Sequence, residues 1–170
     1  MKKIKVDFSF LLFNALLFMF RDGRLIMSFY AVSLLHELGH IAAMKLTGGE
    51  LRSVELSFCG IKMSAAPAAD LKSGAIVLLS GPAVNIALYF VLRLCGHCGQ
   101  TALLSLTAGI FNLLPYSFLD GGALIEMLAE GTAHELFIRR ILTLVRWLII
   151  IAATALYTGL YTADSVLFKA

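Results

Sequence analysis

In the stretch "SLLHELGHIAAMKL", Ser33 to Leu46, two histidines and a glutamate interrupt a run that is otherwise almost wholly apolar. His36 and His40 are four residues apart, so on a helix they share one face, one turn separated, with Glu37 beside them. The pattern is H-E-x-x-H, in which two imidazoles bind zinc and the glutamate works as a base on metal-bound water. Ionisable groups deep in a membrane helix cost roughly 2.5–3.5 kcal/mol each on insertion scales, so they face a partner or a cavity. The plainer alternative is a His–Glu hydrogen-bonded network between helices.

Zinc at a catalytic site takes a third protein ligand and leaves its fourth position open. Downstream candidates are Glu50, Glu55, Asp70, His97, Asp120, Glu126, His134 and Glu135. Glu50 and Glu55 fall outside the helix that carries the histidines, and His97 is expected at the opposite membrane face. Asp120, in "FNLLPYSFLDGG", is the only carboxylate within a predicted span or its last turn. In that segment Pro115 removes a backbone donor and bends or breaks the helix. Asn112 can bond the carbonyl so freed, and Gly121 and Gly122 permit a sharp turn and close approach to the metal helix. Broken helices at membrane depth are tolerated where they line a cavity.

These groups need elements to hold them. The chain has 170 residues, 59% of them hydrophobic and 15% charged, against about a quarter charged in soluble domains. The apolar residues come in five blocks, near 6–20, 25–46, 71–94, 101–119 and 136–161. All but the first reach the ~20 residues that a helix needs to cross a hydrocarbon core. The expected fold is therefore an all-α polytopic membrane protein of about five transmembrane helices. Its expected organisation is a single membrane-embedded domain over 1–170, with a leader span and loop at 1–24, a core at 25–128 and a C-terminal span at 129–170. The basic, apolar N-terminus has no small-residue cleavage site after Phe20 and reads as a retained span.

Between the second and third blocks, Gly48 and Gly49 stop a helix, and Val54, Leu56 and Phe58 then alternate with Glu55, Ser57 and Cys59. That period predicts a small β-hairpin at the membrane surface, with Ile61–Ser64 as its second strand. "GGALIEMLAEGTAHE" predicts a short interfacial helix between Gly122 and Gly131. With the N-terminus in the cytoplasm, ten Lys and Arg fall on the inner side and four on the outer, which favours that orientation. The net charge of +3 comes with no basic run, so nucleic acid is not an expected partner.

"HELGH" and "NLLPYSFLDGG", with "SGPAVN" at Ser80–Asn85 between them, together resemble the site-2 protease family of intramembrane zinc metalloproteases. The resemblance spans roughly Leu25 to Leu128. It implies Zn²⁺ held by His36, His40 and Asp120, Glu37 as catalytic base, and close helix contact at Gly81 and Pro82. Asn85 is implied to face the active site and to bond the substrate backbone, with Asn112 and Pro115 as supporting residues. Ser117 and Phe118 depart from the family pattern, where relatives often carry a proline. The short leader span and "SVELSFCG" are similar to the sporulation-type branch, here expected as a catalytic core without a regulatory domain, so regulation would come from a membrane partner. The implied reaction is peptide hydrolysis in or near a transmembrane segment. The implied substrate is a membrane-tethered transcription factor or anti-sigma factor, and the setting a bacterial cytoplasmic membrane.

A helical substrate must unwind before attack, and the strand carrying Leu56 and Phe58 is expected to receive it by strand addition. Two other readings compete. Cys95-Gly-His-Cys98 has the C-x-x-C spacing of a thiol–disulfide oxidoreductase, but Cys59 is the only other cysteine, leaving no second pair for relay. A non-proteolytic metal-binding membrane protein is the third, although all four residues of the catalytic set are present.

Overall fold

The computed structural model describes residues 3–6, 23–49, 51–57, 60–65, 70–96 and 99–167, with side chains over 23–49, 70–96 and 99–158. In chain order the elements are β1 (Lys3–Val6), α1 (Gly23–Leu46), β2 (Leu51–Ser57), β3 (Gly60–Ala65), α2 (Leu71–Leu94), α3 (Gln100–Asn112), α4 (Asp120–Ala129) and α5 (Glu135–Leu167). They group into two compact units, Met1–Leu128 and Ala129–Ala170.

In the first unit α1, α2 and α3 pack on one another. The residues α3 buries are Ala102, Ser105 and Gly109, all small and on one face. Such a stripe lets helix backbones approach closely where lipid offers no hydrophobic drive to association. On α1, Gly39 does the same: a methyl group there would lie 2.9 Å from the Ser80 carbonyl oxygen of α2. A Ser28–Thr101 hydroxyl pair at 2.9 Å ties α1 to α3.

Local chemistry sets the helix ends. At the close of α1, Gly48 takes φ +74°. Its N–H bonds Lys45 O at 3.3 Å, and the Gly49 N–H bonds Met44 O at 2.8 Å. That is the Schellman arrangement, which leaves few carbonyls of the last turn without a donor. Asp70 caps α2, its carboxylate accepting from the Ser73 N–H at 3.1 Å.

Three described helices are long and apolar enough to cross a membrane, within 23–46, 71–94 and 135–158. The expectation of about five spans is corrected at the fourth block. Of the first block, Val6 belongs to a strand and the rest lies outside the described residues. The fourth block is not one helix: α3 ends at Asn112, after 13 residues. At 1.5 Å per residue that is about 20 Å, short of a hydrocarbon core of roughly 30 Å. The break falls ahead of Pro115, as helices generally end before the residue preceding a proline.

The segment expected to form a hairpin contributes two antiparallel strands, with Val54 opposite Met63 and Leu56 opposite Ile61. An unexpected third strand joins them: β1 lies parallel to β2, with Ile4 opposite Val54 and Val6 opposite Leu56. The sheet order is β1-β2-β3, so β2 is central. Strand addition to Ser53–Leu56 is therefore ruled out, because both flanks of that stretch already carry a neighbour. Leu56 lies within this central strand, and Phe58 lies outside the described residues.

Candidate metal centre

His36 and His40 are buried on α1, each 6% exposed, one turn apart on the face turned to α2. Asp120 reaches them as the first residue of α4, rather than as the end of a span. The intervening chain turns tightly. Leu113 and Leu114 N–H groups bond Ile110 O and Phe111 O at 3.1 and 3.0 Å, then Leu119 N–H bonds Tyr116 O at 2.9 Å. The carbonyl that Pro115 leaves without a donor, Phe111 O, is thus taken by Leu114. Asn112 does not bond it, as the sequence suggested; its side chain donates instead to Ala108 O at 3.0 Å. Gly121 and Gly122 likewise serve the turn rather than the approach to α1. An added methyl at Gly121 would collide with the Leu113 carbonyl, and one at Gly122 with that of Tyr116.

The ligand atoms form a compact triangle. His36 Nε2 lies 3.0 Å from Asp120 Oδ2, His40 Nε2 lies 3.3 Å from the same oxygen, and the two Nε2 atoms are 3.1 Å apart. Among the described residues this is the group of three or more His, Cys, Asp or Glu close enough to hold an ion. Tetrahedral zinc with ligands at about 2.0–2.1 Å separates them by about 3.3 Å, so the observed edges fit a small divalent ion.

Two further features support that fit. Asp120 Oδ2 is buried and takes up no hydrogen bond, although both Nε2 atoms lie close to it. On His40, Nδ1–H donates to Val77 O at 2.7 Å. That bond fixes the tautomer and turns the Nε2 lone pair into the triangle, the usual role of an outer partner to a metal-binding histidine.

Gly81 of α2 lies directly over the two imidazoles. A Cβ there would collide with His40 Nε2 and lie 2.7 Å from His36 Nε2. The missing side chain is what leaves room over the triangle. Gly39 and Gly81 together therefore let α2 close down on the histidine face of α1.

Glu37 is half-buried on α1, within Coulombic range of His36, His40 and Asp120. Asn85 is 1% exposed and its Nδ2 lies 3.1 Å from His36 Nδ1. Pro115 is half-buried in the turn ahead of Asp120. Sequence reasoning missed Val77 and Ser105. The Val77 contribution is a backbone carbonyl and leaves no mark in a sequence. Ser105, fully buried, donates to Asn85 O at 2.8 Å; its signal was a lone hydroxyl in the small-residue stripe of α3. Cys95 is exposed at the end of α2, and Cys98 lies outside the described residues.

Apolar helices around a buried His₂Asp triangle define an integral membrane protein with a candidate metal centre. The fold is that of a site-2 protease. The solved site-2 protease from Methanocaldococcus jannaschii superposes with a TM-score of 0.65 over 84% of this chain and 74% of that one, at 21% sequence identity. No protein-family model matches the chain, and no curated protein matches it by sequence.

Proposed function

We propose that this chain is an intramembrane zinc metalloprotease of the site-2 type. The observation that carries the proposal is the His36–His40–Asp120 triangle, with Glu37 beside it, in the unit that holds the membrane-length helices α1 and α2. A divalent ion held there supplies Lewis acidity and an activated water, the chemistry that peptide hydrolysis at neutral pH requires. Among the described residues, Glu37 is the carboxylate beside the triangle that is not one of its three members. It takes the proton of the attacking water and returns it to the leaving amine, a general base and then a general acid. Gly81 keeps the space over the ligands open, and the half-buried setting of the site strengthens each charge interaction within it.

The substrate class is a membrane-embedded segment, since the site sits among lipid-facing helices. The likeness of the N-terminal half to the sporulation-type branch favours a membrane-tethered transcription factor or anti-sigma factor as substrate, with a separate membrane protein as regulator. If the sheet takes up an unwound substrate strand, it does so at an outer strand, β1 or β3, since β2 is flanked on both sides. The charge distribution favours a cytoplasmic N-terminus, and the resemblance to the sporulation-type branch favours a bacterial cytoplasmic membrane.

The test is cleavage of a peptide-bearing transmembrane segment by purified protein in detergent. Glu37→Gln keeps the shape of the side chain and removes its basicity. The expected loss is about 10²–10⁴-fold in turnover, the usual contribution of a general base. Unchanged turnover would remove Glu37 from the reaction.

A further inference from the structure

His36 presents Nε2 to the triangle, and its other ring nitrogen meets Asn85, with Nδ2 3.1 Å from His36 Nδ1. Asn85 is 1% exposed, and its Oδ1 is buried with no partner. An amide's oxygen and nitrogen exchange places by a half turn of the side chain, so heavy-atom positions alone do not fix which of them faces His36. The surrounding chemistry does. Toward Nε2 lie only lone pairs, from the Asp120 carboxylate and from His40, whose own proton is spent on Val77 O. For Nε2 to bind an ion it must be bare, so the His36 proton sits on Nδ1 and needs an acceptor. Asn85 supplies the hydrogen-bond contact there, and the atom it presents must be its carbonyl oxygen.

We infer that Asn85 is a ligand-positioning residue, accepting the His36 Nδ1 proton through Oδ1 and aiming Nε2 at the ion, and not a substrate-binding residue. It would thus do for His36 what the Val77 carbonyl does for His40. This rests on the metal-centre reading above. The third helix completes the device. Ser105 Oγ donates to Asn85 O at 2.8 Å, and a methyl at Gly109 would stand 3.3 Å from Asn85 Cβ, so α3 holds Asn85 in place from behind. Burial at this depth also keeps Asn85 from reaching a bound peptide.

The test is metal affinity, measured by chelator competition with Zn²⁺ and by Co²⁺ absorption, on the full chain in detergent. Asn85→Leu, similar in size and lacking an acceptor, is expected to weaken binding about 10–100-fold, the usual cost of losing an outer partner. Asn85→Asp, which presents only acceptors, is expected to hold or tighten it. In the zinc-loaded wild type the His36 Nδ1–H should give a slowly exchanging imidazole proton resonance. That resonance should persist in Asn85→Asp and vanish in Asn85→Leu. A substrate-binding role would leave metal affinity unchanged in Asn85→Leu while cleavage fell, and that result would overturn the inference alone. So would tighter binding in Asn85→Leu, which would mean that the amide nitrogen faces His36 and opposes the ion. Should Asn85→Leu not fold, a tenfold loss in Asn85→Asp would refute the inference by itself. Failure of the wild type to bind any metal would bring down the metal-centre reading, and the inference with it.

Discussion

At Gly81 one hydrogen atom stands where any other residue would place a carbon, and that carbon would stand over the His36 and His40 Nε2 atoms. Gly81→Ala therefore fills the space that an ion at the triangle requires. It is expected to weaken metal binding by more than about tenfold, a loss at least as great as that from an outer ligand partner. The helix itself should persist, since alanine is the better helix former. Equilibrium dialysis against zinc, with circular dichroism as the control, checks this. Undiminished zinc binding in Gly81→Ala would show that the ion sits elsewhere. At this scale the sequence was partly legible. The i, i+4 spacing placed His36 and His40 on one face, and Asp120 stood out as a carboxylate at the end of an apolar block. Gly81 was marked only as a point of close helix contact. Its place over the imidazoles depends on how α2 crosses α1, which no local pattern encodes.

Among the elements, the turn from Leu113 to Leu119 is what brings Asp120 to the histidines, and two glycines make it possible. Gly122→Ala would drive a methyl into the Tyr116 carbonyl. Overpacking of this kind costs about 1–3 kcal/mol, and here part of that strain would be relieved by moving Asp120. The expected outcome is weaker metal binding with a lower unfolding temperature, whereas an unaltered zinc affinity would show that the turn does not set the ligand. At the start of α2, hydrogen bonds from Ser73, its side chain first and its backbone N–H second, hold the Asp70 carboxyl below its ordinary 3.8. A lowered pKa stabilises the fold above that ordinary value, and the contribution is lost as pH falls through the folded-state pKa. Asp70→Asn, which also caps well, should flatten the acid limb of the thermal-stability profile; an acid limb as steep as wild type would refute the cap's role. The elements also show where sequence reading stops. Pro115 announced the break, and Gly48 and Gly49 the end of α1. β1 was hidden because its four residues pair with a strand some fifty positions away, a contact that neither periodicity nor turn chemistry signals.

For the molecule as a whole, the outward-facing residues carry the argument. Met27, Leu46, Leu94, Leu136, Trp147, Leu148 and Tyr157 are each more than half exposed, alongside many others. A soluble domain does not sustain apolar surface on that scale, whereas lipid covers it without cost. The 24-residue helices α1 and α2, at about 36 Å each, suffice to cross. Under the proposed orientation, with the N-terminus inside, Cys95 at the end of α2 would face the outer side. A membrane-impermeant thiol reagent should therefore label it in sealed, right-side-out vesicles of a variant in which Cys59 and Cys98 are serine. Labelling only after permeabilisation would reverse the orientation. Composition alone made the membrane setting legible, but not the number of crossings, because α3 and the turn that follows it share a block that reads as one span.

The most direct test of the metal centre is zinc content per chain, by mass spectrometry of purified protein, for wild type, Glu37→Gln and Asp120→Ala. The account predicts one zinc per chain in wild type and in Glu37→Gln, with zinc lost or sharply reduced in Asp120→Ala. Full zinc content in Asp120→Ala, or none in folded wild type, would contradict it.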